Sequence, residues 1–63
     1  HLNKALAQLS EIQRSVIMLR DYEGYTYTEI GEITGLNESQ VKINIFRGRQ
    51  TLQKILGKLE DYI

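Results

Sequence analysis

Apolar residues recur every third or fourth position along this chain, and no stretch alternates with period two over the length of a strand. The pattern predicts helices throughout. Leu2, Leu6 and Leu9 mark a short first helix, with Asn3 as its candidate N-cap. Ser10 and Gln13 form an S-x-x-Q capping box that ties up the free amides of a second helix, whose Ile12, Val16 and Leu19 share one face. Ile17 falls off that face. Gly24 suits the left-handed residue that ends a helix. Thr26 and Glu29 form a second box and open a short third helix, which Gly35 stops. Ile30 and Ile33 are expected to point into the core. Gly31 between them costs about 1 kcal/mol of helix propensity against alanine, which predicts close approach of a neighbouring helix or else a neutral substitution. Asn37 and Gln40 form a third box and open a long fourth helix. There Val41, Ile45, Gly48, Leu52, Ile55, Leu56 and Leu59 lie on one core-facing stripe, and Gly57 is expected to loosen the end.

The expected fold is therefore all-α: a small four-helix domain with a C-terminal helix-turn-helix and a long recognition helix. Residues 1–63 read as one unit, a winged-helix-like or helix-turn-helix DNA-binding fragment, with the helix-turn-helix over about 26–56. A chain of 63 residues buries a modest core. It starts without methionine, and a piece of a longer protein is the simplest expectation.

Composition narrows the chemistry. The chain has no cysteine, which excludes a disulfide framework and thiolate-bound zinc, and its one histidine is the terminal His1. Without an internal histidine or cysteine, and with carboxylates scattered along helix faces, no catalytic, metal or cofactor site is expected. No small-molecule substrate is expected either. No apolar run approaches the roughly 20 residues that span a bilayer, and nothing reads as a signal peptide. Tyr22, Tyr25, Tyr27 and Tyr62 are expected at the rim of the core, with wet hydroxyls.

Charge is balanced in total and polarised in place. Eight basic residues face eight acidic ones. From Asn37 to Lys58, Lys42, Arg47, Arg49, Lys54 and Lys58 stand against Glu38 alone. The neighbouring segments are acidic, so the field of the domain steers a polyanion toward the fourth helix. A helical wheel centred on Val41 puts Ser39, Lys42, Ile43, Phe46, Arg47, Gln50 and Lys54 opposite the buried stripe, with Arg49 on the flank.

In a DNA reading, Lys42 and Arg47 reach bases or phosphates, and Ile43 and Phe46 lie on thymine methyl groups. Ser39 and Gln50 share that face, while Arg49 and Lys54 would only position the backbone. Thr26 and Thr28 help the start of the third helix hold a phosphate. The plainer reading makes the cations an ordinary solvated face and folds Phe46 onto a neighbour. Arg49 is expected to pair internally with Glu29 or Glu32.

The segments "QRSVIML", "EGYTYTEIG", "SQVK" and "IFRGRQTL", preceded by Leu6 and Leu9 and joined through Gly35, resemble in order and spacing the C-terminal region 4 of bacterial RNA polymerase sigma factors of the extracytoplasmic-function (ECF) group. The resemblance runs from about Leu6 to Leu56. It implies a domain that reads the −35 promoter element and docks on the β flap of RNA polymerase in the bacterial cytoplasm, with anti-sigma factors as possible partners. It implies DNA contacts at Lys42, Phe46 and Arg47. It also gives Ile17 an expected place, in a groove toward the first helix or in the polymerase-docking surface.

The chain departs from the family pattern at several positions. Gly31 and Gly48 stand for alanines, Gln40 for threonine, and Ile43 and Asn44 for the serine and arginine of many relatives. The reading face is thereby more apolar and less charged. Two rival readings stay open: another kind of helix-turn-helix regulator, or a protein-interaction module anchored by Ile43 and Phe46.

Overall fold

A computed structural model describes residues 2–60, with side chains described for residues 4–57. It has four α-helices and, among the described residues, no strand. They are α1 (Leu2–Ala7), α2 (Glu11–Ile17), α3 (Tyr27–Thr34) and α4 (Glu38–Glu60). The all-α architecture and its C-terminal helix-turn-helix are as the periodicity predicts; with no strand, a wing has no counterpart among the described residues. Because α1 begins at Leu2, Asn3 lies inside the helix and not at its cap. The side chains of Leu2 and Leu59, and all of Tyr62, lie outside what is described.

Local chemistry sets the boundaries. The Gln13 amide donates to Ser10 Oγ at 3.2 Å, which caps α2, although the Ser10 amide donates no return bond to the Gln13 side chain. At α3 both halves of the box are made: Glu29 N–H donates to Thr26 Oγ1 at 3.1 Å, and Thr26 N–H donates to Glu29 Oε1 at 2.9 Å. At α4 the Gln40 amide donates to Asn37 Oδ1 at 2.8 Å, and the Asn37 amide to Gln40 Oε1 at 3.0 Å. Gly24 and Gly35 adopt φ of 77° and 78°, the left-handed region that admits glycine without strain.

The end of the second helix departs from the expectation of a plain α-helix. Met18–Tyr22 widens into a π-turn, with Glu23 N–H donating to Met18 O at 3.1 Å. Such turns have no periodicity signature and frequently sit at functional sites. This one carries Arg20 and Asp21. The Arg20 guanidinium donates to Tyr25 O at 2.9 Å, and Asp21 reaches α4.

Two apolar clusters hold the helices together. Val16, Ile30, Val41 and Ile45 are buried, with Ile12, Leu19, Tyr27 and Leu36 packed around them. Leu6, Leu9 and Ile17 form the second cluster, against Leu52. Ile17 thus fills the groove toward α1, one of its two expected places. Each buried Val, Leu or Ile side chain contributes about 1.5–3 kcal/mol.

Three expectations are corrected. Ile33 is 56% exposed, because α3 turns Tyr27, Ile30 and Thr34 inward and leaves Ile33 on the edge of that stripe. The close approach at Gly31 is made by the turn and not by a helix: a Cβ there would lie 2.8 Å from Leu36 O. Of the described tyrosines only Tyr27 packs on the core; Tyr22 and Tyr25 are exposed. In addition, α4 continues through Gly57 to Glu60 without interruption.

Gly48 is buried where α4 crosses α2. A Cβ at this position would overlap Ile17 Cδ1 and lie 3.3 Å from its Cγ1 and 3.5 Å from Gln13 Cβ. Gly48→Ala alone is predicted to destabilise the fold by about 1 kcal/mol, since Ile17 must leave its rotamer in a closed space. In an Ile17→Val background, which removes Cδ1, the same change should stabilise by up to about 1 kcal/mol through helix propensity. Urea unfolding of the four cycle members checks this; an equal effect in both backgrounds would contradict it.

Candidate nucleic-acid interface

The helix-turn-helix consists of α3, the turn Gly35–Leu36–Asn37, and α4. The turn is held on one side by Gly35 N–H donating to Gly31 O at 2.8 Å and on the other by the Asn37–Gln40 box. Val41 and Ile45 fix the first two turns of α4 to the core, at 0% and 2% exposure. That anchoring decides which residues face outward. Ser39, Lys42, Ile43, Phe46, Arg47, Gln50 and Lys54 are all exposed, as the helical wheel predicts. Ile43 is 41% and Phe46 58% exposed, so Phe46 does not fold back onto a neighbour.

Lys42 leans toward α3, with its Nζ 5.5 Å from the centroid of the Tyr27 ring. Arg20 lies over the same ring at 4.7 Å. Tyr27 therefore gathers two cations from distant parts of the chain beside the start of α3. Sequence reasoning missed Arg20 as a member of this site. Nothing in the spacing of residues 20, 27 and 42 signals the cluster, because it depends on the π-turn and the loop after it.

Thr26 and Thr28 are both exposed near the start of α3. Thr26 spends its hydroxyl and its amide on Glu29, so its amide is not free for a phosphate. The carboxylate of Glu29 also adds negative charge there. The Thr26 amide, then its hydroxyl, holds the Glu29 carboxyl below its ordinary value of 4.5.

Arg49 takes the internal role expected of it, with a different partner. Its Nε donates to Asp21 Oδ2 at 3.1 Å, and its Nη2 to Asp21 Oδ1, a bidentate pair between α4 and the π-turn. Glu29 is already engaged in its cap, and α4 runs back along α2, which carries Arg49 to the end of that helix. The pairing keeps the Arg49 guanidinium protonated, its pKa raised by the Asp21 hydrogen bond. Both partners remain partly exposed, so the pair adds under about 1 kcal/mol of stability.

Asn44 is turned inward on its own helix: its Nδ2 donates to Gln40 O at 2.8 Å. Elsewhere an open, mostly apolar groove of about 690 Å³ runs between α1, α2, the π-turn and α3, lined by Leu6, Ala7, Met18, Leu19 and Ile33, with Arg14, Ser15 and Thr34 as its polar part. It shares no residue with the exposed face of α4. Among the described residues no group of three or more His, Cys, Asp or Glu side chains is placed to hold a metal, and no helix is long and apolar enough to cross a membrane.

These features define a helix-turn-helix module with a basic and partly apolar outer face. Comparison with known proteins identifies it further: the chain belongs to the sigma-70 region 4 family, whose model ("Sigma-70, region 4") matches residues 2–52. The chain is 35% identical over 60 residues to RNA polymerase sigma factor CarQ of Myxococcus xanthus, covering 95% of this chain and 34% of that protein. It is 40% identical over 57 residues to ECF RNA polymerase sigma factor SigE of Mycolicibacterium smegmatis, covering 90% and 22%. It is 35% identical over 60 residues to RNA polymerase sigma factor YlaC of Bacillus subtilis, covering 95% and 35%. The chain thus spans about a third of the length of these relatives, or less. No solved structure matches it at comparable stringency. Sigma factor domains are not an enzyme class.

The capping box yields a prediction with a defined sign. A carboxyl depressed in the folded state adds stability that is full above its ordinary value and is lost as pH falls through the folded value. NMR titration should show Glu29 ionising below 4.5, with α3 loosening on acidification. Thr26→Ala keeps the amide and removes only the hydroxyl, so it should cost about 1 kcal/mol as a lost cap while Glu29 stays below its ordinary value. A Glu29 midpoint at or above 4.5 in the unsubstituted chain would contradict the assignment.

Proposed function

We propose that this chain is the promoter-reading domain of an extracytoplasmic-function sigma factor. In this reading α4 enters the major groove of the −35 element with the N-terminal half of its exposed face. The observation that carries it is the division of α4: Val41, Ile45 and Gly48 are buried in a helix-turn-helix frame, while Lys42, Arg47, Ser39 and Gln50 stand outward on the same turns. Among the described residues Arg47 makes no ion pair, and it suits bidentate contact with guanine, whereas Arg49 is withheld by Asp21. Lys42 and Arg20, gathered on Tyr27, suit a phosphate beside the start of α3. Thr28 lies at the same helix start, and Thr26 serves it as a cap.

The groove lined by Met18, Leu19 and Ile33 is the surface that docks on RNA polymerase, at the β flap. It is mostly apolar, open and separate from the reading face, so DNA and polymerase can be held together. An anti-sigma factor would act by covering one of these two surfaces. In this reading the protein acts in the bacterial cytoplasm, where promoters are transcribed. With a formal net charge of zero, the isolated domain neutralises few phosphates and binds DNA weakly at physiological salt. Attachment to polymerase supplies the remainder through effective concentration.

One observation favours a second reading: the exposure of Ile43 and Phe46 side by side suits a protein-interaction module. Selection from random DNA duplexes at low salt separates the two. One short motif should be enriched by the chain and lost with Lys42→Ala or Arg47→Ala, while unfolding midpoints stay unchanged. Enrichment that survives both substitutions would sink the assignment. For the groove, Ile33→Glu should weaken binding to polymerase core by about tenfold or more and leave duplex selection intact, a loss typical of removing an interface anchor. Unchanged polymerase affinity would remove the groove from the docking surface.

A further inference from the structure

The reading face carries an apolar pair that its basic neighbours do not explain. Ile43 is 41% exposed and Phe46 58%, and at i, i+3 spacing they form one continuous patch on α4. Lys42 and Arg47 flank it on the same helix and are both exposed, so the surface that covers this patch must be anionic as well as locally apolar. In the major groove the C5-methyl group of thymine is the one apolar feature among the base edges. The neighbouring Asn44 is less exposed than Ile43 and turns its Nδ2 back along its own helix, donating to Gln40 O at 2.8 Å, so Ile43 and not Asn44 leads on this turn. Placing an isoleucine against a base edge without a methyl group would desolvate polar atoms and return no hydrogen bond.

We propose that Ile43, backed by Phe46, is a specificity-determining residue that seats a thymine methyl group, so that the DNA element read by this chain requires thymine at the position facing Ile43. This rests on the promoter-reading assignment above and goes beyond it by naming a base and the atom that recognises it.

The test uses the motif selected from random duplexes and replaces each of its thymines in turn by uracil. That exchange removes the methyl group and leaves pairing and the O4 acceptor unchanged. At one position uracil should weaken binding roughly fourfold, the worth of one buried methyl group. The loss should vanish in Ile43→Ser, an exposed substitution whose helicity and unfolding midpoint are checked beside it. A Lys42- and Arg47-dependent motif insensitive to uracil at every position would overturn this proposal and leave the promoter-reading assignment standing. A uracil effect undiminished in Ile43→Ser would overturn it too, by placing the methyl contact on another residue. Failure to enrich any duplex would overturn both, and the Ile43–Phe46 pair would then be a contact for a protein.

Discussion

Where α4 crosses α2, the missing side chain of Gly48 lets Ile17 lie directly against the helix backbone. This contact fixes both the distance and the rotation of α4. Val41 and Ile45 enter the first cluster on the same stripe, and Leu52 meets the second. The bidentate pair of Arg49 and Asp21 adds a geometric tie one residue further along. Since a helix has one rotation, burying this stripe determines which residues face outward. The outer face needs no interactions of its own to be held in place. It is a by-product of the core.

The same logic explains how so small a core orders four helices. Three helix starts carry a side-chain cap, and two helix ends turn on a left-handed glycine, so the ordering of each boundary is enforced locally. The short α3 depends most on this. It buries only Ile30 completely, yet it must hold the turn that aims α4. Leu36 folds its carbonyl back over Gly31, and Thr34 Oγ1 donates to Ile30 O at 2.7 Å. Backbone and side chain thus close the turn together.

Much of this could be read from residue types at fixed spacing. Capping boxes are local in sequence, so Thr26–Glu29 and Asn37–Gln40 were legible as helix starts. The long stripe of α4 gave its outer face by simple rotation. Features that depend on where separate segments meet were not legible. The π-turn has no residue signature, and it redirected Asp21 toward Arg49 in place of Glu29 or Glu32. Ile33 had the right residue type and spacing for the core, but an eight-residue helix could not settle which edge of its stripe faces outward. Arg20 joined Lys42 on Tyr27 only through the folded loop. The family could be recognised because its motifs are strings of such local signals in order.

In the proposed division of labour within the chain, the outer face of α4 meets DNA and the α1–α2–α3 groove does not. Chemical-shift mapping of the chain against a duplex that it selects tests this most directly. The largest changes are expected at Ser39, Lys42, Ile43, Phe46, Arg47 and Gln50, with Leu6, Met18 and Ile33 unmoved. Changes centred on the groove, with the α4 face silent, would contradict it.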